Sequence, residues 1–231
     1  MNGYNPPPAF RGFSAEAFAF LKDLADNQNR EWFEAHKPIY EREVKEPLAG
    51  LVVSLGQALA AKNIDFCCDP KRAIFRIHKD VRFSKDKKPY KTNAGATLTR
   101  DGERRSPGVL YIHVDPEGSF AAGGFYRPEP PQLHAIRRRI MARPEDIKAI
   151  LGSLEASGLR LEQDDILKRT PSGFEAVEPP ELGALLRLKS LIVRRALSRK
   201  LLADGDALIV ELVDFADLVH PLLRFGWAAI S

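Results

Sequence analysis

At 231 residues, 44% hydrophobic and 29% charged, the chain can bury a sizeable core. No stretch approaches the ~18–20 uninterrupted apolar residues of a membrane span. Its net charge of +4 is too mild, taken alone, to argue for nucleic acid. Two adjacent cysteines, Cys67 and Cys68, exclude a disulfide framework and suit a reducing compartment. The opening M-N-G-Y-N-P-P-P lacks the basic head and apolar run of an export signal, so a cytoplasmic protein is expected.

In chain order, residues 1–13 read as a stiff, proline-rich lead-in and 14–231 as one α+β domain. Ser14 is a good N-cap, with Phe13 and Phe18 spaced for a hydrophobic staple. Helical spacing then runs through Ala17, Phe18, Leu21, Leu24 and Ala25. Arg30–His36 is a second helix with Trp32 and Phe33 inward. After Pro38 comes Ile39–Glu46, and Pro47 opens a helix through Leu59, so the first third is helical.

The pattern changes at Lys71. Ala73–His78 alternates, placing Phe75 and Ile77 on one face and Arg76 and His78 on the other. Ala94–Arg100 and Val109–Val114 are further strands. Asp115–Gly118 is a turn, because proline fixes φ and glycine tolerates positive φ, and Ser119–Tyr126 returns as the hairpin partner. Helices resume at Pro131–Arg143 and Pro144–Ser157, separated at Pro144. Leu159–Phe174 is irregular, Leu191–Leu197 is a strand without an obvious partner, and Asp206–Leu223 is a helix. The expected fold is an antiparallel meander of four or five strands packed with N- and C-terminal helices.

Positive charge is concentrated. Between Lys71 and Arg105 lie twelve Lys or Arg against four acids, about +8 in a chain whose total is +4. At its centre is Arg76–Lys91, R-I-H-K-D-V-R-F-S-K-D-K-K-P-Y-K. Arg76 and Arg82 offer forked donors suited to carboxylate or phosphate, whereas Lys85, Lys87, Lys88 and Lys91 are point charges. Phe83 and Tyr90 would anchor the loop, and Pro89 holds Lys88 extended.

This string resembles the signature of a family of unknown function, domain-of-unknown-function family 2461, at Arg76, Asp80, Arg82, Phe83, Asp86, Lys87 and Tyr90. It departs at Lys79, where the family has arginine. The resemblance extends to Trp32-Phe33, Gly123-Gly124-x-Tyr126, Leu133, Arg137 and Leu185–Ser190. It implies a shared fold and brings no established activity.

Alternation supplies a second argument. If Phe75, Ile77, Leu110, Ile112 and Val114 face the helices, then Arg76, His78, Tyr111 and His113 share the opposite face with Thr97 and Thr99. Gly123-Gly124 would let a backbone or ligand approach closely, and Arg127 follows at the strand end. The candidate anion- or substrate-binding set is Arg76, His78, Asp80, Arg82, Lys87, Tyr90, Lys91, Tyr111 and His113. Against it stands internal pairing, since Asp80 and Asp86 could answer the loop's own cations. The five histidines show no metal-ligand spacing, and no nucleophile elbow or nucleotide-binding loop is present. No metal is expected, and no cofactor or oligomeric state is assigned. In the Arg137–Arg139 run, one arginine reaches inward from a solvated face.

Three readings follow. The favoured one binds a phosphorylated or otherwise anionic ligand, a small molecule or nucleic acid. A second is an enzyme acting on a small phosphorylated or carboxylated substrate, with His78 or His113 as acid/base and Asp80 as orienter or alternative base. The third is a structural or protein-interaction element with an internally paired loop.

Overall fold

The computed structural model describes residues 9–80, 87–174 and 180–230. Its architecture is α+β, 53% helix with a four-stranded antiparallel open sheet. The strands are β1 (Ala94–Leu98), β2 (Val109–Val114), β3 (Ser119–Phe125) and β4 (Leu191–Leu197), hydrogen-bonded in the order β1-β2-β3-β4. Leu191–Leu197 thus finds its partner in β3. No helix among the described residues is long and apolar enough to cross a membrane.

The chain forms two compact units, each assembled from separate stretches. The first lies within Met1–Arg104, Tyr111–Ala121 and Ala196–Asp214; the second lies within Arg105–Leu110, Ala122–Arg195 and Phe215–Ser231.

In the first unit, helix α1 (Ala15–Asp26) begins where Ser14 Oγ accepts the Ala17 N–H at 3.1 Å. The Phe13 and Phe18 rings meet with centroids 6.4 Å apart, which completes the staple. Phe20, Leu21 and Leu24 fill the core. Helix α2 (Arg30–Ile39) runs past the expected end at His36 and through Pro38. It continues through a π-helical turn (Tyr40–Lys45) into α3 (Glu46–Ala61). Proline removes one N–H from the ladder, and the wider i→i+5 turn re-registers the bonds between Pro38 and Pro47. Leu48, Leu51, Val52, Leu55 and Leu59 of α3 are all buried, each contributing about 1.5–3 kcal/mol of transfer free energy.

The expected strand Ala73–His78 is corrected. Asp69 caps a short helical turn, α4 (Pro70–Ala73), its Oδ1 accepting the Lys71 N–H at 2.9 Å. Beyond it, among the described residues, two bridge pairs form, Ile74 with Ala96 and His78 with Tyr90. Between the bridges three residues on one side therefore face five on the other. Alternation does not survive that mismatch: Ile77 is buried while Phe75 is not.

In the second unit, β3 packs on β4 where Gly124, at φ +126°, brings the two backbones together. A Cβ there would stand 2.0 Å from the Leu191 carbonyl oxygen. The glycine pair thus serves approach of a backbone. Helix α5 (Pro130–Ala142) opens with a capping box between Glu129 and Gln132, and α6 (Pro144–Ala156) follows. Two further helices, α7 (Pro180–Arg187) and the short α8 (Arg199–Leu202) in the first unit, were not anticipated. Helix α9 (Gly205–Ile230) contributes Leu208 and Leu212 to the first unit's core and Phe215, Val219 and Leu222 to the second's.

Candidate functional site

The base of the basic loop is closed by backbone. Lys79 N–H donates to Pro89 O and Lys91 N–H to Ile77 O, both at 2.8 Å, flanking the His78–Tyr90 bridge. Tyr90 is the anchor. Its ring, 3% exposed, stacks on Phe33 at 4.4 Å, and its N–H donates to Gln28 Oε1 at 3.1 Å. Burial pushes the Tyr90 phenol up from its usual pKa. Tyr90 therefore faces the core and is not placed to stack on a ligand. His78 packs beside it, against Phe33 and Tyr90. Arg82, Phe83, Lys85 and Asp86 lie outside the described residues; Asp80, Lys87 and Lys88 beside them are exposed, and none is without a partner.

The Lys91 side chain leaves the loop base in the other direction. Its ammonium lies 4.8 Å from the centroid of the Phe75 ring, over which the Arg104 guanidinium also sits at 5.2 Å. Arg104 is held there by the backbone: Nε donates to Arg72 O at 2.9 Å and Nη2 to Ile74 O at 2.6 Å. Burial, then Arg104, Arg76 and Lys79 in turn, draw the Lys91 pKa below the usual lysine value. Among the described residues no carboxylate lies within ion-pair distance of Lys91, and the Arg76 guanidinium makes no hydrogen bond or ion pair. Lys91 and Arg104 thus share one aromatic ring, and Arg76 and Lys79 add like charge around the ammonium.

Phe75 connects this cluster to β2. Its ring meets Tyr111 edge to face at 6.2 Å, which sets Phe75 on the Tyr111 side and corrects the expectation that it faces the helices. Tyr111 Oη lies 2.9 Å from His113 Nδ1, and Asn93 Nδ2 approaches the same nitrogen at 3.2 Å. Donor and acceptor roles at Nδ1 follow the imidazole tautomer, and the other ring nitrogen is Nε2. That nitrogen faces Asp115 Oδ2 at 3.7 Å, with both side chains less than one-fifth exposed. The other Asp115 oxygen accepts the Glu117 N–H at 2.8 Å, so the turn fixes the carboxylate. Phe120 of β3 stacks on His113 at 4.6 Å. A Cβ on Gly95 would stand 2.9 Å from Tyr111 Oη, so glycine there makes room for the phenol.

The structure thus gathers Arg76, Lys91, Tyr111 and His113 from the sequence-derived set and separates His78 and Tyr90 from them. It adds Phe75, Arg104, Asn93, Asp115 and Phe120, which sequence reasoning missed. Thr99 does not join them: it is 1% exposed, its hydroxyl donating to Glu103 O at 3.1 Å. Arg127, which the sequence placed at the strand end after Tyr126, pairs with Asp165 at 2.8 Å. Among the described residues no group of three or more His, Cys, Asp or Glu could hold a metal. The cysteines are unbridged, and burial pushes the Cys68 thiol up to about 12, which leaves it a poor nucleophile.

Comparison with curated proteins and with solved structures returned no match. The family model described as "Conserved hypothetical protein (DUF2461)" matches residues 16–225, which includes every described part of the site, and the chain belongs to that family.

Proposed function

We propose that this protein binds a phosphorylated or otherwise anionic small molecule at the face formed by Phe75, Lys91, Arg104 and Tyr111. One observation carries the reading: a half-buried ammonium held among three like charges with no carboxylate in reach among the described residues. Such an arrangement is costly when empty, and an anion relieves it. Arg76 and Arg104 supply planar donors, Lys91 a point charge and Tyr111 a neutral donor. The unbridged cysteines fit a reducing compartment, and the cytoplasm is the location that suits them.

A thermal-shift series with phosphate, nucleotides and dicarboxylates tests the reading. Stabilisation should grow with ligand concentration in the wild type and vanish in Lys91→Met. Stabilisation that persists in Lys91→Met places the anion elsewhere, and none in the wild type favours an internally paired loop. Oligonucleotide binding that falls steeply with salt would point to nucleic acid instead.

The chain Asp115–His113–Tyr111 favours an enzyme as the second reading, with His113 moving a proton through Tyr111. Turnover of a bound phosphate ester that is lost in His113→Gln would support it.

A further inference from the structure

We propose that Lys91 is a site of reversible carbamylation, its Nζ taking up carbon dioxide to give a carbamate that the Arg104 guanidinium receives. The inference shares its cations with the anion-site reading but needs no bound ligand. Carbon dioxide is neutral, and the anion is made on the lysine itself.

The first support is what surrounds the amine. Lys91 lies half-buried at the loop base, where its backbone N–H donates to Ile77 O, and its Nζ sits 4.8 Å from the Phe75 centroid. The charged groups around it are Arg104, Arg76 and Lys79, all cations. A lysine paired with a carboxylate stays an ammonium, and its lone pair is withheld from electrophiles. Among the described residues Lys91 has no such partner within ion-pair distance. Burial and the three cations favour the neutral amine, which is the reacting form.

The second support is how Arg104 is held. Nε gives its one hydrogen to Arg72 O, and Nη2 gives one of its two to Ile74 O. Three of the five guanidinium hydrogens remain. Two of them, one on each Nη, lie side by side on the outer edge, a spacing that suits the two oxygens of a carboxylate. The two carbonyls fix this group over the ring that Lys91 also covers, 5.2 Å from its centroid. A carboxylate formed on Nζ is thereby offered a donor pair from a residue already in place.

The neutral Nζ lone pair attacks the carbon of carbon dioxide and forms one C–N bond, while the π electrons of one C=O move onto its oxygen. Nζ then releases a proton to solvent, leaving the carbamate. Counted from the ammonium, two protons leave for each carbon dioxide bound, and nothing is oxidised or reduced. The side chain passes from cation to anion, so its repulsion from Arg104 becomes attraction. An external anion competes, because it occupies the same donors and favours the ammonium.

Carbon-13 NMR in labelled bicarbonate tests this from about pH 7.5 to about pH 9.5, below the ordinary lysine value of ~10.4. The α-amino group, with an ordinary value of ~7.7–8.0, forms its own carbamate and serves as the internal reference. The wild type should show a second carbamate resonance, and Lys91→Met, which keeps the apolar stem over Phe75, should lose that one alone. Arg104→Gln should raise the bicarbonate needed for half-saturation about tenfold, the loss of one charge-assisted contact. Rising sulfate should suppress the second resonance. An α-amino resonance alone in the wild type overturns the proposal, as does a second resonance that survives Lys91→Met. Unchanged half-saturation in Arg104→Gln overturns the role of Arg104. A Lys91 carbamate indifferent to sulfate, in a protein whose Tm sulfate does not raise, leaves the carbamate standing and removes the external anion. Stabilisation by sulfate without the second resonance does the reverse.

Discussion

Two arginine-rich corners of this protein look alike in sequence and differ in how their charge is answered. In the second unit, Arg137 is 8% exposed, yet Nε donates to Leu186 O at 2.8 Å and Nη2 to Leu188 O at 3.1 Å. It caps the carbonyls at the end of α7. Nearby in sequence, Arg127 and Lys189 share Asp165, at 2.8 and 2.6 Å. In the first unit, Lys91 lies over Phe75 among Arg104, Arg76 and Lys79 and meets no carboxylate among the described residues. The lesson is that cation density does not mark a ligand site. Arg137 is answered by carbonyls and Arg127 and Lys189 by a carboxylate, whereas the proposed function has an anion answer Lys91.

The largest test of this contrast is Arg137→Met. Truncation leaves two buried carbonyls without their donor and should cost about 3 kcal/mol in urea denaturation. Anion-induced stabilisation should survive it, because Arg137 serves the fold. Loss of that response in a protein that still folds would blur the distinction between the corners.

Lys91→Met should act in the opposite sense. The methionine keeps the apolar stem over Phe75 and removes a charge that burial and three neighbouring cations disfavour. The ligand-free Tm should rise by about 2–4 °C, the shift expected for ~1 kcal/mol in a chain of this size. The sign of the pH dependence follows from the lowered Lys91 pKa. In the window between the folded and unfolded values the unfolded chain holds more protons, so wild-type stability rises with pH there. The contribution should flatten in Lys91→Met. A fall in Tm would mean that Lys91 has a structural partner.

The smallest effect belongs to Asp165→Asn. Lys189 first, and Arg127 with it, hold the Asp165 carboxyl below the usual range, but the pair is exposed to solvent and screened. A carboxyl with a depressed folded pKa stabilises above its unfolded value and loses that contribution as pH falls through the folded one. The substitution should barely change Tm at neutral pH and should remove a slight acid sensitivity below about pH 4. If Arg127, once released, then gave a new anion response, the cation rule would be sharpened, because charge alone would suffice.

Much of the fold was legible. Ser14 and the Phe13–Phe18 pair gave the start of α1, regular alternation gave β2, and the run Leu191–Leu197 was read as a strand with the bounds of β4. Membership of the family was legible too, from the Arg76–Lys91 string together with the wider residue pattern. The segment Ala73–His78 was misread because two signals competed there. The Asp69-Pro70 pair marks a helix start, and apolar alternation suggested a strand. The cap won locally, and the unequal spacing between the two bridges then carried Phe75 toward Tyr111.

The site was half legible for the same reasons. Tyr111 and His113 are two apart on a strand, and alternation placed them together. Asp115 continues that face but was read only as a turn residue. Counting back from the turn, Phe120 falls opposite His113, a cross-strand neighbour that the hairpin alone implied. Asn93 and Arg104 carried no local signal. Arg104 lies in an irregular stretch and reaches the site through the carbonyls of Arg72 and Ile74, about thirty residues away in the chain. Only the folded chain brings those groups together.

The central claim is that the Lys91 ammonium is strained by like charge and relieved by an anion. Carbon-13 labelling of lysine Cε, with Lys91 assigned by the Lys91→Met variant, follows that one group directly through pH. The account predicts a Lys91 midpoint below the ordinary lysine value of ~10.4 and an upward move when sulfate is added. A midpoint at the ordinary value, unchanged by sulfate, would contradict it.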